Sequence, residues 1–247
     1  MANAIKRIGT MLLLMVFLLS LSACGEGNIN ASDEKEAKSL VVLKAAAQSS
    51  PTETPEQKPV LYIYHTHSFE TYADGKSIIE IGKVLADYIS ETYGIKVIHD
   101  TTKYGELSPA HAYEDSLKGL ESALKSNPEI THFLDIHRDA GTEKRVVKID
   151  GKDIAPVHLA VGKGTEYSGK EKPNYEQTLA FAKKLYEQLV AQSDDLVSLD
   201  ERDGRYNQHL PGICALIDIG RNKNNFEEAA GVVPYLAQAI VECISDQ

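Results

Sequence analysis

Leu61-Tyr62-Ile63-Tyr64-His65-Thr66-His67-Ser68-Phe69-Glu70 begins as a run of β-formers and ends in two histidines and a carboxylate. An apolar run of this length, entered through Pro59, reads as a buried strand of a parallel or mixed sheet. Open α/β sheets hold their ligands just beyond the carboxyl ends of their strands, and His65, His67 and Glu70 fall where this strand would end. Two later segments repeat the arrangement, Phe133-Leu134-Asp135-Ile136-His137 and Ala215-Leu216-Ile217-Asp218. Strands that each deliver a polar group at the same end predict a metal site.

Around these strands the chain alternates. Ile78, Ile81, Leu85, Tyr88 and Ile89 recur at helical spacing before Gly94, and Ile95 to His99 forms a short strand. Ser108 and Pro109 suit the N-cap and first position of a second helix, with Tyr113, Leu117, Leu120 and Leu124 on its apolar face and Asn127-Pro128 at its end. The strand Thr131–Ile136 follows. Arg145–Ile149 and Ala155–Val161 flank Asp150-Gly151-Lys152, a hairpin signal. Tyr175, Leu179, Ala182, Tyr186 and Leu189 mark a third helix. A polar loop with Arg205 to Gln208 leads to the strand Ile213–Ile219, and Asn224 or Asn225 caps a turn with Phe226 and Ala229. The last helix, Val233–Ile244, tolerates Pro234 only near its start. The order predicts a single α/β domain over residues 59–247. Its mixed, mostly parallel sheet is flanked by helices and carries an antiparallel hairpin insertion.

The first 58 residues read differently. Lys6 and Arg7 precede the apolar run Met11 to Leu21, which leads into Ser22-Ala23-Cys24. That is the pattern of a secretory signal over residues 1–23, and the cysteine after Leu-Ser-Ala resembles a bacterial lipobox, cleaved before Cys24 and lipidated on it. The run is shorter than the ~20 residues of a spanning helix. Residues 24–58, rich in Ser, Ala, Glu, Thr and Pro, read as a flexible tether. The expected location is the outer face of the cytoplasmic membrane, held by lipid. The signal contains two of the 26 basic residues and none of the 36 acidic ones, so the remainder carries 24 basic side chains and a net charge of −12. Such a balance argues against nucleic acid, whose binding depends on neutralising phosphates. Cys214 and Cys243 read as buried small hydrophobes, with a disulfide between them left open.

Hydrolytic zinc sites offer three ligands from His, Glu and Asp and leave a position for water. His67, Glu70 and His137 fit that set, with Asp218 as a base that takes the water's proton. Either histidine of the His65/His67 pair could instead be a hydrogen-bonded strand-end residue, and Glu70 a cap or loop ion pair.

Wider wording adds to this. Tyr64-His65-Thr66-His67-Ser68-Phe69-Glu70-Thr71-Tyr72, Leu134-Asp135-Ile136-His137-Arg138-Asp139-Ala140, Pro173-Asn174-Tyr175, Tyr206-Asn207-Gln208 and Leu216-Ile217-Asp218-Ile219-Gly220 together resemble the stage II sporulation protein P family. They occur in the family's order and cover roughly Val60 to Ile244. The resemblance implies a fold like that of zinc-dependent N-acetylmuramoyl-L-alanine amidases. It also implies cleavage between the muramic acid lactyl group and L-alanine of peptidoglycan, with peptide cross-links as a further target in some members. The family thins septal peptidoglycan in endospore formers beside a partner that cleaves glycan strands.

By the same resemblance His137 is a zinc ligand, Glu70 the carboxylate ligand, and His65 or His67 the second histidine. Strand alternation would put both on one face, while the wider amidase class favours His67. Arg138 would hold a substrate carboxylate bidentately, or else join Asp139 or Asp135 in an internal network. Asp139, Tyr206, Asn207 and Gln208 would line the substrate groove, with loop packing as the alternative for the last three. Three departures stand out. The family usually has Glu at the base, where this chain has the shorter Asp218. It commonly follows Tyr-Asn-Gln with Asp, here His209. Arg221 replaces a small residue after the glycine and would add a cation beside the base. An active zinc amidase and an attenuated stem-peptide-binding protein of the same fold are both consistent with this wording; the Asp218→Glu substitution separates them.

Overall fold

The computed structural model describes residues 58–245 apart from Tyr167 and Lys170. Cys24 and all but the last residue of the expected tether lie outside the described residues.

Strand β1 (Val60–Tyr64) is buried along its whole length. It pairs in parallel with β2 (Lys96–His99) on one side and β3 (His132–Asp139) on the other. Between β1 and β2 runs α1 (Ile78–Tyr93), stopped by Gly94 in the left-handed region at φ 67. Its start is fixed by a reciprocal pair: the Ser77 hydroxyl accepts from the Glu80 N–H, and the Glu80 carboxylate accepts from the Ser77 N–H. Ile78, Ile81, Leu85 and Ile89 are fully buried, each contributing roughly 1.5–3 kcal/mol by leaving water. The second helix differs from expectation at its start. Pro109–His111 forms a 3-10 turn and Ser108 caps nothing, so α2 spans Ala112–Ser126.

The insertion is shorter than the sequence suggested. Asp150 and Gly151, at φ 51 and 78, make a two-residue turn between β4 (Val147–Ile149) and β5 (Lys152–Ile154). The next segment, β6 (Val157–Gly162), leaves the hairpin and joins the main sheet antiparallel to β8 (Ile213–Arg221). After α3 (Tyr175–Val190) the chain forms β7 (Val197–Arg202), parallel to β6, where sequence reading gave only a polar loop. The main sheet runs β2-β1-β3-β8-β6-β7. Its pairs are parallel except β6 with β8.

The last helix, α4, spans Phe226–Ser245 without a break, so Pro234 sits inside it rather than near its start. Asn225 and Glu228 cap its first turn reciprocally. Val232, Val233, Leu236 and Ala237 are buried on both sides of the proline, and this packing holds the helix continuous where one backbone bond is missing.

Strand alternation divides the core. Leu61, Ile63, Leu134, Ile136, Ala215 and Ile217 face α1, α3 and α4. Val60, Tyr62, Tyr64, Phe133 and Cys214 face the other way, towards Leu120 of α2. Cys214 and Cys243 lie in these two separate clusters, so the disulfide left open by the sequence does not form between them.

Candidate metal centre

Strand β3 does not stop at Ile136. It continues through His137, which pairs in register with Asp218 of β8. Parallel partners present their side chains on one face, so the proposed ligand and the proposed base stand side by side above the α2 layer. Just beyond them the ladder shifts by one residue between His137 and Asp139, and Gly220 takes φ 64 there. Such a bulge bends the strand and re-aims neighbouring side chains.

The other candidate ligands come from the turn after β1. His67 O accepts from the Glu70 N–H, and this turn carries His67 and Glu70 over the end of the sheet. Glu70 Oε1 is 3.8 Å from His67 Nδ1, and Glu70 Oε2 is 3.5 Å from His137 Nδ1. One donor atom from each of the three lies within 4.8 Å of the others. Tetrahedral zinc with bonds of ~2.0–2.2 Å needs its ligand atoms roughly 3.4 Å apart, so this donor set fits a zinc ion.

His65 does not belong to the set. The strand ends at Tyr64, so alternation no longer governs His67, and the two histidines part company. His65 is wholly buried against α1, where a side chain on Gly82 would overlap its imidazole. Its Nδ1 donates to the Ile136 carbonyl at 2.9 Å, which leaves Nε2 to accept from His99 Nε2 at 2.9 Å. Burial holds its pKa down at about 4. Both ring nitrogens are taken, and His65 is a core residue.

Charge is distributed unevenly across the site. Burial alone would raise the Glu70 carboxyl, but contacts from His137, His67 and the Arg138 N–H hold it at about 2. Burial alone would lower His137; the charges of Asp135 and Glu70 overcome it and raise the imidazole well above its usual range. Asp135 Oδ1 lies 2.9 Å from His137 Nε2, near enough for an ion pair but out of line for an N–H hydrogen bond. Asp135 is itself fixed by the Thr66 N–H and hydroxyl. Burial pushes Asp218 up to about 6, against the pull of His137, His158 and Arg202. Its Oδ2 is buried without a hydrogen-bond partner among the described residues.

The arginines sit elsewhere than expected. Arg138 Nε donates to the Thr71 carbonyl and Nη1 stands 3.8 Å from Glu70 Oε1, so among the described residues this side chain braces Glu70 and joins neither Asp139 nor Asp135. Arg221 Nε donates to Asp139 Oδ2 at 3.1 Å, and this partly exposed ion pair engages the Asp139 carboxylate. The cation beside Asp218 is Arg202, whose Nη2 is 4.0 Å from Asp218 Oδ2, too long for a hydrogen bond.

Of the loop residues, Asn207 and Gln208 are each 1% exposed. Asn207 Nδ2 donates to Tyr113 O and Ser116 Oγ, while Gln208 bonds Ala160 O and the Gly162 N–H of β6. Their amides are committed internally, so both act in loop packing rather than as a groove lining. Tyr206 differs. Held at φ 51, it sets its ring 5.6 Å from Tyr113, whose ring in turn lies 5.4 Å from His67.

A model of the stage II sporulation protein P family matches residues 23–241. The chain belongs to that family. The stage II sporulation protein P of Bacillus subtilis (strain 168) is 27% identical to it over 230 residues, which cover 79% of this chain and 55% of the relative. The chain thus spans about half the length of that curated relative. In fold it is similar to an N-acetylmuramoyl-L-alanine amidase from Clostridium difficile 630, with a TM-score of 0.52 at 13% identity over 78% of this chain and 100% of that one. The amidase AmiC2 of Nostoc punctiforme aligns over 77% of this chain and 96% of its own at 15% identity, with a TM-score of 0.48.

In this stage II sporulation protein P family member, sequence reasoning missed Asp135, Tyr113, His158 and Arg202 as neighbours of the site. For Asp135 the signal was present, since a residue two before His137 on a strand shares its face. His158 pairs in register with Asp218 across β6 and β8. Arg202 reaches His158 Nε2 at 2.9 Å from β7, the strand that went unrecognised.

Proposed function

We propose that this chain is a zinc-dependent peptidoglycan hydrolase, an N-acetylmuramoyl-L-alanine amidase that remodels the cell wall in sporulation. One observation carries the reading: His67, Glu70 and His137 converge while the buried Asp218 stands in register beside His137. The three ligands would hold the ion, with Asp135 behind His137 and Arg138 behind Glu70. Bound zinc would acidify a water and polarise the amide carbonyl.

The chain's own groups do the rest. Asp218, as a carboxylate, takes a proton from the attacking water and passes it to the leaving L-alanine nitrogen as the C–N bond breaks. Burial strengthens its action by keeping bulk water away from the carboxylate. Tyr206 and Tyr113 flank the approach to His67 and offer an aromatic wall to the substrate. Lipidation at Cys24 would keep the enzyme on the outer face of the cytoplasmic membrane, close to its polymer and to a partner that cuts glycan strands.

The test incubates the purified chain, zinc-loaded or chelated, with defined muropeptides and follows products by mass spectrometry. Free stem peptide that depends on zinc and disappears in Asp218→Ala supports the amidase, whereas opened cross-links would add a peptidase activity. Intact muropeptides after incubation with the zinc-loaded chain refute it. In that outcome, stem-peptide binding would mark a binding protein of the same fold.

A further inference from the structure

When water adds to an amide, the carbonyl oxygen gains charge, and a hydrogen-bond donor placed for that oxygen lowers the barrier. Most donors around this site are already engaged. Arg138 holds Glu70 and the Thr71 carbonyl, Arg202 holds Asp200 and His158, Arg221 holds Asp139, and the amides of Asn207 and Gln208 face inward. Tyr113 is different. No side-chain hydrogen bond among the described residues takes its hydroxyl, whereas its backbone is tightly tied. It sits in the first turn of α2, and its carbonyl accepts from both Ser116 Oγ and Asn207 Nδ2. The ring is clamped edge-on between His67 and Tyr206, at centroid distances of 5.4 and 5.6 Å. The ring of His67 is in turn 5.0 Å from that of His137, so the Tyr113 phenol stands at the rim of the candidate ligand cluster.

Resting on the amidase reading above, we propose that Tyr113 is a catalytic residue whose hydroxyl donates a hydrogen bond to the carbonyl oxygen as the scissile amide becomes tetrahedral. The step balances without proton transfer from tyrosine. Water oxygen bonds to the carbonyl carbon, its proton goes to Asp218, and the carbonyl π pair moves onto the oxygen that Tyr113 contacts. Collapse breaks the C–N bond, and Asp218 returns the proton to the nitrogen. The position also explains the loop. Left-handed backbone at both Tyr206 and Asn207 is a conformation that few side-chain-bearing residues adopt, and here it secures the Tyr113 backbone and ring from two sides.

Tyr113→Phe keeps the ring and removes the oxygen. The expected result is a fall in kcat of about 100- to 1000-fold, the loss typical of one such donor, with KM and zinc content per chain unchanged. Independently of turnover, affinity of the zinc-loaded protein for a tetrahedral phosphonamidate analogue of the muramoyl–alanine amide should drop at least about ten-fold. Affinity for the planar N-methylated amide should not move. A kcat within a few-fold of wild type, a loss of zinc along with activity, or an unchanged analogue affinity would each overturn the assignment. Should the wild type release no stem peptide, the amidase reading fails by itself. The analogue comparison then still decides the hydroxyl: a drop sustains its contact with a tetrahedral centre, and equal affinities refute it.

Discussion

Replacing Asp218 by asparagine removes a charge from a buried site while keeping the side chain's shape. The folded carboxyl stands at about 6, against an ordinary 3.8. The folded chain therefore binds this proton more tightly than the unfolded one. The resulting stability is fully present below pH 3.8 and lost as pH rises through about 6. At pH 8, with about 1.4 kcal/mol for each pH unit between 3.8 and about 6, ionised Asp218 destabilises the metal-free fold by ~3 kcal/mol. Asparagine must still satisfy its amide, so the net gain expected from Asp218→Asn at pH 8 is roughly 1–3 kcal/mol, several degrees in Tm for a domain of this size. The gain should fade to nothing by pH 4, and turnover should vanish at every pH. Urea unfolding of chelated protein at pH 4, 6 and 8 reads this directly. Equal stabilities at pH 8, or the same gain at pH 4 and pH 8, would refute the claim that Asp218 is a charge held against burial.

Arg138→Ala should weaken zinc affinity by about 10- to 100-fold, the effect of removing a group that orients a ligand, with kcat at saturating zinc little changed; competition with a chromophoric chelator measures it. A large loss of kcat with zinc affinity intact would return Arg138 to substrate binding. Gln208→Ala should lose roughly 2–4 kcal/mol of stability through two unsatisfied backbone groups on β6, read by urea unfolding, and leave zinc content unchanged. Reductant should not alter Tm or electrophoretic mobility, because Cys214 and Cys243 lie on opposite faces of the sheet.

The fold was legible where burial on both faces wrote long apolar runs. Strands β1, β3 and β8 and helix α1 announced themselves through Leu61–Tyr64, Phe133–Ile136, Ile213–Ile219 and the Ile78–Ile89 stripe. What was missed lies at the sheet's far edge. Strand β7 alternates Val197, Leu199 and Glu201 with Ser198, Asp200 and Arg202, the pattern of a half-covered edge that composition alone does not separate from a loop. Missing it concealed Arg202. On α3 the buried stripe is Thr178, Phe181, Ala182, Leu185 and Leu189, turned from the expected Tyr175 and Leu179. Pro234 argued for a helix start, yet packing along α4 overrode it. At the site, His67, Glu70, His137 and Asp218 were readable as chemistry. The choice between His65 and His67 was not, since it depends on where β1 ends and on the turn that follows. Nor could the sequence show that Arg221 would reach Asp139 instead of the base, because a one-residue bulge at Gly220 redirects it.

Zinc content per chain, after chelation and reloading, tests the proposed centre most directly. It compares wild type, His67→Ala and His65→Asn, the last keeping a donor for the Ile136 carbonyl. The account predicts one zinc in wild type and in His65→Asn, and none in His67→Ala. Zinc retained by His67→Ala but lost from His65→Asn, or no zinc in wild type, would contradict it.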